Sequence, residues 1–195
     1  LKTMESFTSP DGEIGTNLSE AFIKENYDIL NTGTKDGTID VSGGYHDAGD
    51  HVKFGLPEAY SGTTVSWGYY EFRDAYIECE QQEHVETIIR HFCDYFMRCT
   101  FRDENGEVKC FCYQVGDGDI DHAYWQLPQN DEMNRPAWFA TPETPTTCNV
   151  SNTAACLVIN YLNFKDTDPE YAEKCLDYGK ALYEFAKKND KVKTH

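Results

Sequence analysis

One stretch of the sequence decides how the rest is interpreted, and it reads Asp40-Val-Ser-Gly-Gly-Tyr-His-Asp-Ala-Gly-Asp-His-Val-Lys-Phe-Gly-Leu-Pro57. It contains two carboxylates, Asp47 and Asp50, which are separated by Ala-Gly and flanked by aromatic and imidazole side chains. Four glycines interrupt any regular periodicity and favour an irregular loop. Such loops often carry catalytic groups, because the surrounding scaffold holds them in position for a substrate.

Two neighbouring carboxylates can position and deprotonate a water molecule, which is the general-base half of an inverting glycoside hydrolysis. The alternative is an acidic turn, in which Asp side chains accept hydrogen bonds from nearby backbone amides. Spacing alone favours the turn, so the interpretation depends on other parts of the chain.

The loop resembles the signature of glycoside hydrolase family nine, the inverting cellulases. Other segments resemble the same family in the same order, namely residues 66–76, 113–125, 135–136, 153–155 and 164–169. The resemblance covers about residues 38 to 188. It implies an all-α fold, a partial (α/α)6 barrel of which this chain supplies about the first half.

The pattern of apolar residues independently predicts an all-α chain with long loops and one short strand segment. Helical spacing appears over residues 63–77, 84–99 and 152–164, and alternation over residues 108–115 predicts the strand. Asp168-Pro169 is a typical helix start. Residues 1–37 form a poorly assigned N-terminal segment with a possible helix over 19–30, and residues 38–195 form the N-terminal portion of a family-nine catalytic domain.

The resemblance also assigns roles to individual residues. It makes Asp50 the general base and Asp47 the residue that helps to hold the attacking water. Substrate binding is expected from five side chains, which are Tyr45, His46, His122, Tyr124 and Trp125. Aromatic faces suit a pyranose ring and imidazoles can bond its hydroxyls, although a packed core histidine with aromatic neighbours is the alternative around His122.

The general acid of this family is a Glu near the C-terminus of the domain, beyond residue 195. Glu58 and Glu71 are the glutamates nearest to the loop in sequence, and both are expected to be loop or helix-surface charges. The chain is therefore expected to carry the base aspartates and to lack the acid.

Composition limits the possible partners. Acids outnumber bases by 34 to 17, and a net charge of −17 argues against nucleic acid or membrane partners while suiting a neutral glucan. We expect no metal and no cofactor, because the eight cysteines lack paired C-x-x-C spacing and residues 117–128 lack the Gly and Glu of a calcium loop. Two glycosylation sequons begin at Asn17 and Asn149.

These observations predict an endoglucanase that hydrolyses β-1,4-glucosidic bonds in cellulose or related β-glucans by inversion. The substrate is a β-glucan polysaccharide, and the chain needs the C-terminal half of its own domain for activity. By resemblance the protein is secreted, although the first residues do not look like a signal peptide. The alternatives are a non-catalytic carbohydrate-binding remnant of the same fold and a purely structural helical fragment.

Overall fold

A computed structural model describes residues 17–30, 39–133 and 135–190 of the chain. In this part of the chain there are eight α-helices, four strands and one 3₁₀ turn. The helices are α1 (Glu20–Glu25), α2 (Tyr27–Leu30), α3 (Gly55–Glu71), α4 (Arg73–Glu78), α5 (Gln82–Arg98), α6 (Gly118–His122), α7 (Thr147–Phe164) and α8 (Pro169–Lys188). The strands are β1 (Lys53–Phe54), β2 (Thr100–Arg102), β3 (Val108–Val115) and β4 (Ala137–Ala140), and the 3₁₀ turn is Pro128–Asn130.

The helices dominate as predicted and the expected strand is present, but that strand is the centre of a four-stranded antiparallel sheet whose other three strands were not predicted. Val115 of β3 pairs with a residue of β1 on one side and a residue of β4 on the other. In the same way, Phe111 of β3 pairs with both β2 and β4. A strand has two edges, so β1 and β2 share one edge of β3 while β4 follows the other. The three additional strands have only two to four residues each, which is too short for a recognisable alternation.

Four long helices surround the core. Helix α7 packs between α3 and α8, and α5 packs against α3. Two buried side-chain amides of α7 join it to α3. Asn160 Nδ2 donates to Ser66 Oγ at 2.9 Å, and Asn163 Nδ2 donates to the Ser66 carbonyl at 3.0 Å. The predicted start of α8 is confirmed, since the Asp168 side chain accepts a hydrogen bond from the Tyr171 amide.

Helix α3 begins earlier than the apolar pattern predicts, and its start lies against the sheet, next to the loop that carries Asp47 and Asp50. The predicted helix over residues 63–77 is divided at Phe72, whose backbone has φ −120° and ψ 31°, into α3 and α4. Helix α3 starts at Gly55, where an added Cβ would lie 2.3 Å from the Tyr113 carbonyl oxygen of β3. Only glycine allows this contact, so the loop that precedes α3 is held close to the sheet.

The described part of the N-terminal segment is hydrogen-bonded to the sheet through Asn17 and packs Leu30 into the core. Asn17 Nδ2 donates to the Phe139 carbonyl at 2.7 Å, and the Phe139 amide donates to Asn17 Oδ1 at 2.8 Å. The helix expected over residues 19–30 is confirmed as two short helices, and Ser19 caps the first by accepting from the Phe22 amide. The rest of the segment 1–37 lies outside the described residues. No helix in the described ranges has the length and apolarity needed to cross a membrane.

Candidate functional site

The loop that carries the two aspartates is ordered by short-range hydrogen bonds. The Asp47 amide donates to the Val52 carbonyl at 2.9 Å, and the Ala48 amide donates to Asp50 Oδ1 at 3.0 Å. Oδ1 of Asp50 therefore accepts a hydrogen bond from a nearby backbone amide, as expected if the loop were only an acidic turn. The bond to the loop backbone uses only Oδ1, which leaves Oδ2 for other contacts.

The two aspartates have different environments although they are three residues apart. Asp50 is 8% exposed, and its Oδ2 lies 2.5 Å from Nε2 of His122, which ends helix α6. Asp47 is exposed. The hydrogen bond to Asp50 raises the pKa of His122 above its usual value, because the carboxylate stabilises the imidazolium form. The pair thus combines a buried, oriented carboxylate with a solvent-facing imidazole.

Two exposed aromatic residues follow α6, and one of them lies beside the aspartate loop. Asp117 caps α6 by accepting from the Asp119 and Ile120 amides, and the chain then continues to Tyr124 and Trp125, which are 61% and 73% exposed. The Trp125 indole lies directly over Gly49, where an added Cβ would be 2.6 Å from Cζ3. We call Asp47, Asp50, His122 and Trp125 the aspartate cleft, because the hydrogen bond between Asp50 and His122 and the contact of Trp125 with Gly49 bring these predicted residues together. The Tyr124 side chain instead lines a separate pocket with Ile120 and Met133.

A buried network of hydrogen bonds and ion pairs joins the aspartate loop to α6. The sequence did not reveal this network. The His51 amide donates to Asp121 Oδ1 at 3.0 Å, and His51 Nδ1 lies 2.9 Å from Asp131 Oδ2. Arg135 donates to the His51 carbonyl and places Nη1 3.5 Å from both carboxylates. The pairs Asp50-His51 and Asp121-His122 therefore each supply one cleft residue and one supporting residue.

The same network contains the only group of three potential metal ligands in the described ranges, namely His51, Asp121 and Asp131, whose ligand atoms lie within 4.8 Å of one another. Arg135 already provides a positive charge to both carboxylates, and its guanidinium would repel a cation bound between them. This arrangement fits a buried ion-pair network better than a metal site.

Two residues predicted to bind substrate have other surroundings. The Tyr45 ring packs against His91 and Phe92 of α5, at centroid distances of 4.7 and 4.5 Å, and lines a groove that contains no other predicted site residue. The structure therefore does not bring Tyr45 into the aspartate cleft. The His46 ring lies 5.1 Å from that of His51, and burial lowers the pKa of His46 to about 4. Its imidazole is neutral at neutral pH.

Glu58 corrects another prediction. It was expected to be a surface charge, but it is 6% exposed and its Oε1 accepts a hydrogen bond from the Tyr45 amide at 2.7 Å. Glu71, by contrast, is exposed at the end of α3 as expected. The apolar pattern offered no signal for Glu58, because it placed the helix start at residue 63, whereas α3 begins at Gly55 and has Glu58 in its first turn.

Comparisons with known proteins agree with the motif. The sequence model described as Glycosyl hydrolase family 9 matches residues 11–195. Endoglucanase A of Bacillus pumilus is 43% identical over 158 residues, which cover 80% of this chain and 23% of that protein. The catalytic domain of Clostridium thermocellum CelT has a TM-score of 0.91 and 58% identity, covering 97% of this chain and 38% of that chain. The cellulase Cel9M of C. cellulolyticum, solved in complex with cellobiose, has a TM-score of 0.74 and 40% identity over 80% of this chain and 36% of that chain.

The chain spans less than a quarter of Endoglucanase A and well under half of the CelT catalytic domain. The resemblance inferred from the aspartate loop is confirmed, and because the family model covers nearly all of the sequence, this chain belongs to glycosyl hydrolase family 9.

Proposed function

We propose that this chain forms the general-base side of the catalytic centre of an endo-β-1,4-glucanase that acts with inversion. The observation that carries the proposal is the hydrogen-bonded pair of Asp50 and His122 beside the exposed indole of Trp125. A carboxylate held by hydrogen bonds at both oxygens keeps a fixed orientation, as a general base must. An exposed indole next to it provides an apolar face for a pyranose ring.

In this proposal Asp50 removes a proton from the water that attacks the anomeric carbon, and Asp47 holds that water from its exposed position. Asp50 uses Oδ1 for the Ala48 amide and Oδ2 for His122, and each carboxylate oxygen has a second lone pair available. In the same proposal, His122 and Tyr124 contact sugar hydroxyls. An inverting enzyme keeps its acid and base carboxyls roughly 6.5–9.5 Å apart so that the water fits between them.

We further propose that residues 38–195 are the N-terminal portion of an (α/α)6 catalytic domain and that the general acid is supplied by residues outside this chain. Coverage of 38% of the CelT catalytic domain supports this view. On this basis the 195-residue chain alone does not hydrolyse glucan. The substrate is a neutral β-glucan polymer such as cellulose, the site uses no metal or cofactor, and the enzyme works outside the cell, where the polymer is found.

The test uses the complete catalytic domain, meaning this chain together with the residues that complete a family 9 domain. Asp50→Asn is expected to lower kcat on carboxymethylcellulose by about 10²–10⁴, the contribution of a positioned base, while cello-oligosaccharide affinity is retained. Asp74→Asn, an exposed Asp on α4, is the matched control and should leave kcat unchanged. Nuclear magnetic resonance of the first product should show inversion at the anomeric carbon.

Undiminished turnover in Asp50→Asn would contradict the assignment of the base. A complete domain that binds cello-oligosaccharides but hydrolyses none of them would favour the alternative, a carbohydrate-binding remnant. Retention at the anomeric carbon would leave the endoglucanase assignment standing and remove the inverting mechanism.

A further inference from the structure

A lysine is buried beneath the aspartate loop and holds its backbone. Lys53 of β1 is 2% exposed, which is rare for a lysine without partners. Its Nζ donates to the Val41 carbonyl at 2.7 Å and to the Gly43 carbonyl at 2.9 Å, and lies 4.7 Å from the centroid of the Tyr95 ring. Because Lys53 pairs with Val115 of β3, this ammonium connects the loop to the sheet.

A glutamate of helix α3 holds the next part of the aspartate loop. Glu58 lies in the first turn of α3, and its Oε1 accepts from the Tyr45 amide at 2.7 Å, while its Oε2 is buried with no hydrogen-bond partner among the described residues. Burial raises the pKa of the Glu58 carboxyl well above its usual range. Gly44 has φ +73° and allows the contact, since a Cβ there would lie 2.7 Å from Oε1.

The three hydrogen bonds reach residues 41, 43 and 45, which come immediately before Asp47. Both anchors belong to regular elements, β1 and α3, whereas the loop between residues 39 and 52 has neither helix nor strand. A buried lysine and a buried carboxyl with an unpartnered oxygen both cost free energy, so their retention here calls for a role beyond packing.

We propose that Lys53 and Glu58 are positioning residues for the proposed base pair, because they fix the backbone of the aspartate loop at three points between the sheet and α3. This inference rests on the proposed function of Asp47 and Asp50. It assigns the two side chains no contact with substrate. Their effect is on the placement of the carboxylates relative to the attacked sugar, and misplacement by about 1 Å can cost on the order of 10²-fold in rate.

Two variants of one residue separate positioning from charge. Glu58→Gln keeps a neutral side chain with an acceptor oxygen for the Tyr45 amide, and should keep kcat of the complete catalytic domain within about twofold of wild type. Glu58→Met has similar length but no acceptor, and should lower kcat by roughly 10- to 100-fold with KM changed less than about threefold. Glu78→Met, at an exposed glutamate of α4, is the matched control for replacing a glutamate by methionine away from the loop.

Hydrogen exchange at the Tyr45 amide gives a second readout that does not depend on activity. Exchange should be slow in wild type and Glu58→Gln and fast in Glu58→Met. Fast exchange in the wild type would overturn the proposal even if Glu58→Met fails to fold. Equal loss of kcat in both variants, with the Tyr45 amide still protected in Glu58→Gln, would also overturn it.

Asp50→Asn measured in parallel separates the two claims. If Asp50→Asn is inactive and a folded Glu58→Met keeps wild-type kcat, the positioning role is wrong while the proposed function stands. If Asp50→Asn is fully active, the proposed function is wrong, and the positioning role fails with it because there is no base to position.

Discussion

The contact between Trp125 and Gly49 predicts that one added methyl group will displace the exposed indole. In Gly49→Ala the new Cβ would lie 2.6 Å from Cζ3 and 3.1 Å from Cη2 of the ring. Carbon atoms pack at about 3.5–4.0 Å, so the ring has to move by roughly 1 Å. Trp125 is 73% exposed and can move without disturbing the core, so the free energy of unfolding should change by less than about 1 kcal/mol.

The displacement should appear in substrate affinity. Removal of the ring by Trp125→Ala is expected to weaken cello-oligosaccharide binding by about 1–3 kcal/mol, the scale of a large apolar face. A radial gap of about 0.5–1 Å forfeits a quarter to a half of a dispersion contact. Gly49→Ala should therefore weaken binding by a quarter to a half of the Trp125→Ala effect, which is about 0.3–1.5 kcal/mol.

The assay is calorimetric titration of cellotetraose into the complete catalytic domain, with Asp50→Asn present throughout to prevent turnover. A double-mutant cycle tests the cause, because Gly49→Ala should have no further effect once Trp125 is alanine. Gly68→Ala is the control, since a methyl group there meets only the Tyr76 hydroxyl at 3.9 Å. An equal loss of affinity from Gly49→Ala in both backgrounds would refute the reasoning.

Two further predictions concern the residues around the cleft. Arg135→Met leaves the carboxylates of Asp121 and Asp131 buried without their cation and should lower the free energy of unfolding by about 3–5 kcal/mol in denaturant titrations; a loss below about 1 kcal/mol would contradict the network. The His122 imidazole should titrate above its ordinary pKa of 6.5 in nuclear magnetic resonance experiments, because it is hydrogen-bonded to Asp50. Its contribution to stability is then complete below the unfolded pKa and is lost as pH rises through the folded pKa, a dependence that His122→Gln should abolish.

The fold was predictable where one apolar face extends over many residues. Helix α5 has 17 residues with a continuous buried stripe, so periodicity located it to within a few positions, and the Asp168-Pro169 signal located the start of helix α8. The strands β1, β2 and β4 were missed because each is defined by pairing with β3 rather than by its own pattern. Residues that are far apart in sequence provide those pairings, and no local signal reports them.

The cleft was partly predictable for a similar reason. Asp47 and Asp50 are adjacent in one motif, and His122 and Trp125 in another, so each group could be recognised locally. The supporting contacts join distant positions, since His51 and Asp131 are 80 residues apart. Tyr45 shows the limit of the motif, because its neighbours in sequence belong to the loop while its ring packs against α5.

The paired hydrogen bonds between Asn17 and Phe139 have a consequence for glycosylation. Asn17 begins the sequon Asn17-Leu-Ser19, and the nitrogen that would receive a glycan is the one that donates to the Phe139 carbonyl. A sugar attached there would compete with the bidentate pairing of the Asn17 amide to Phe139. Modification would therefore loosen the start of the segment at β4, while the burial of Leu30 would still hold its end in the core.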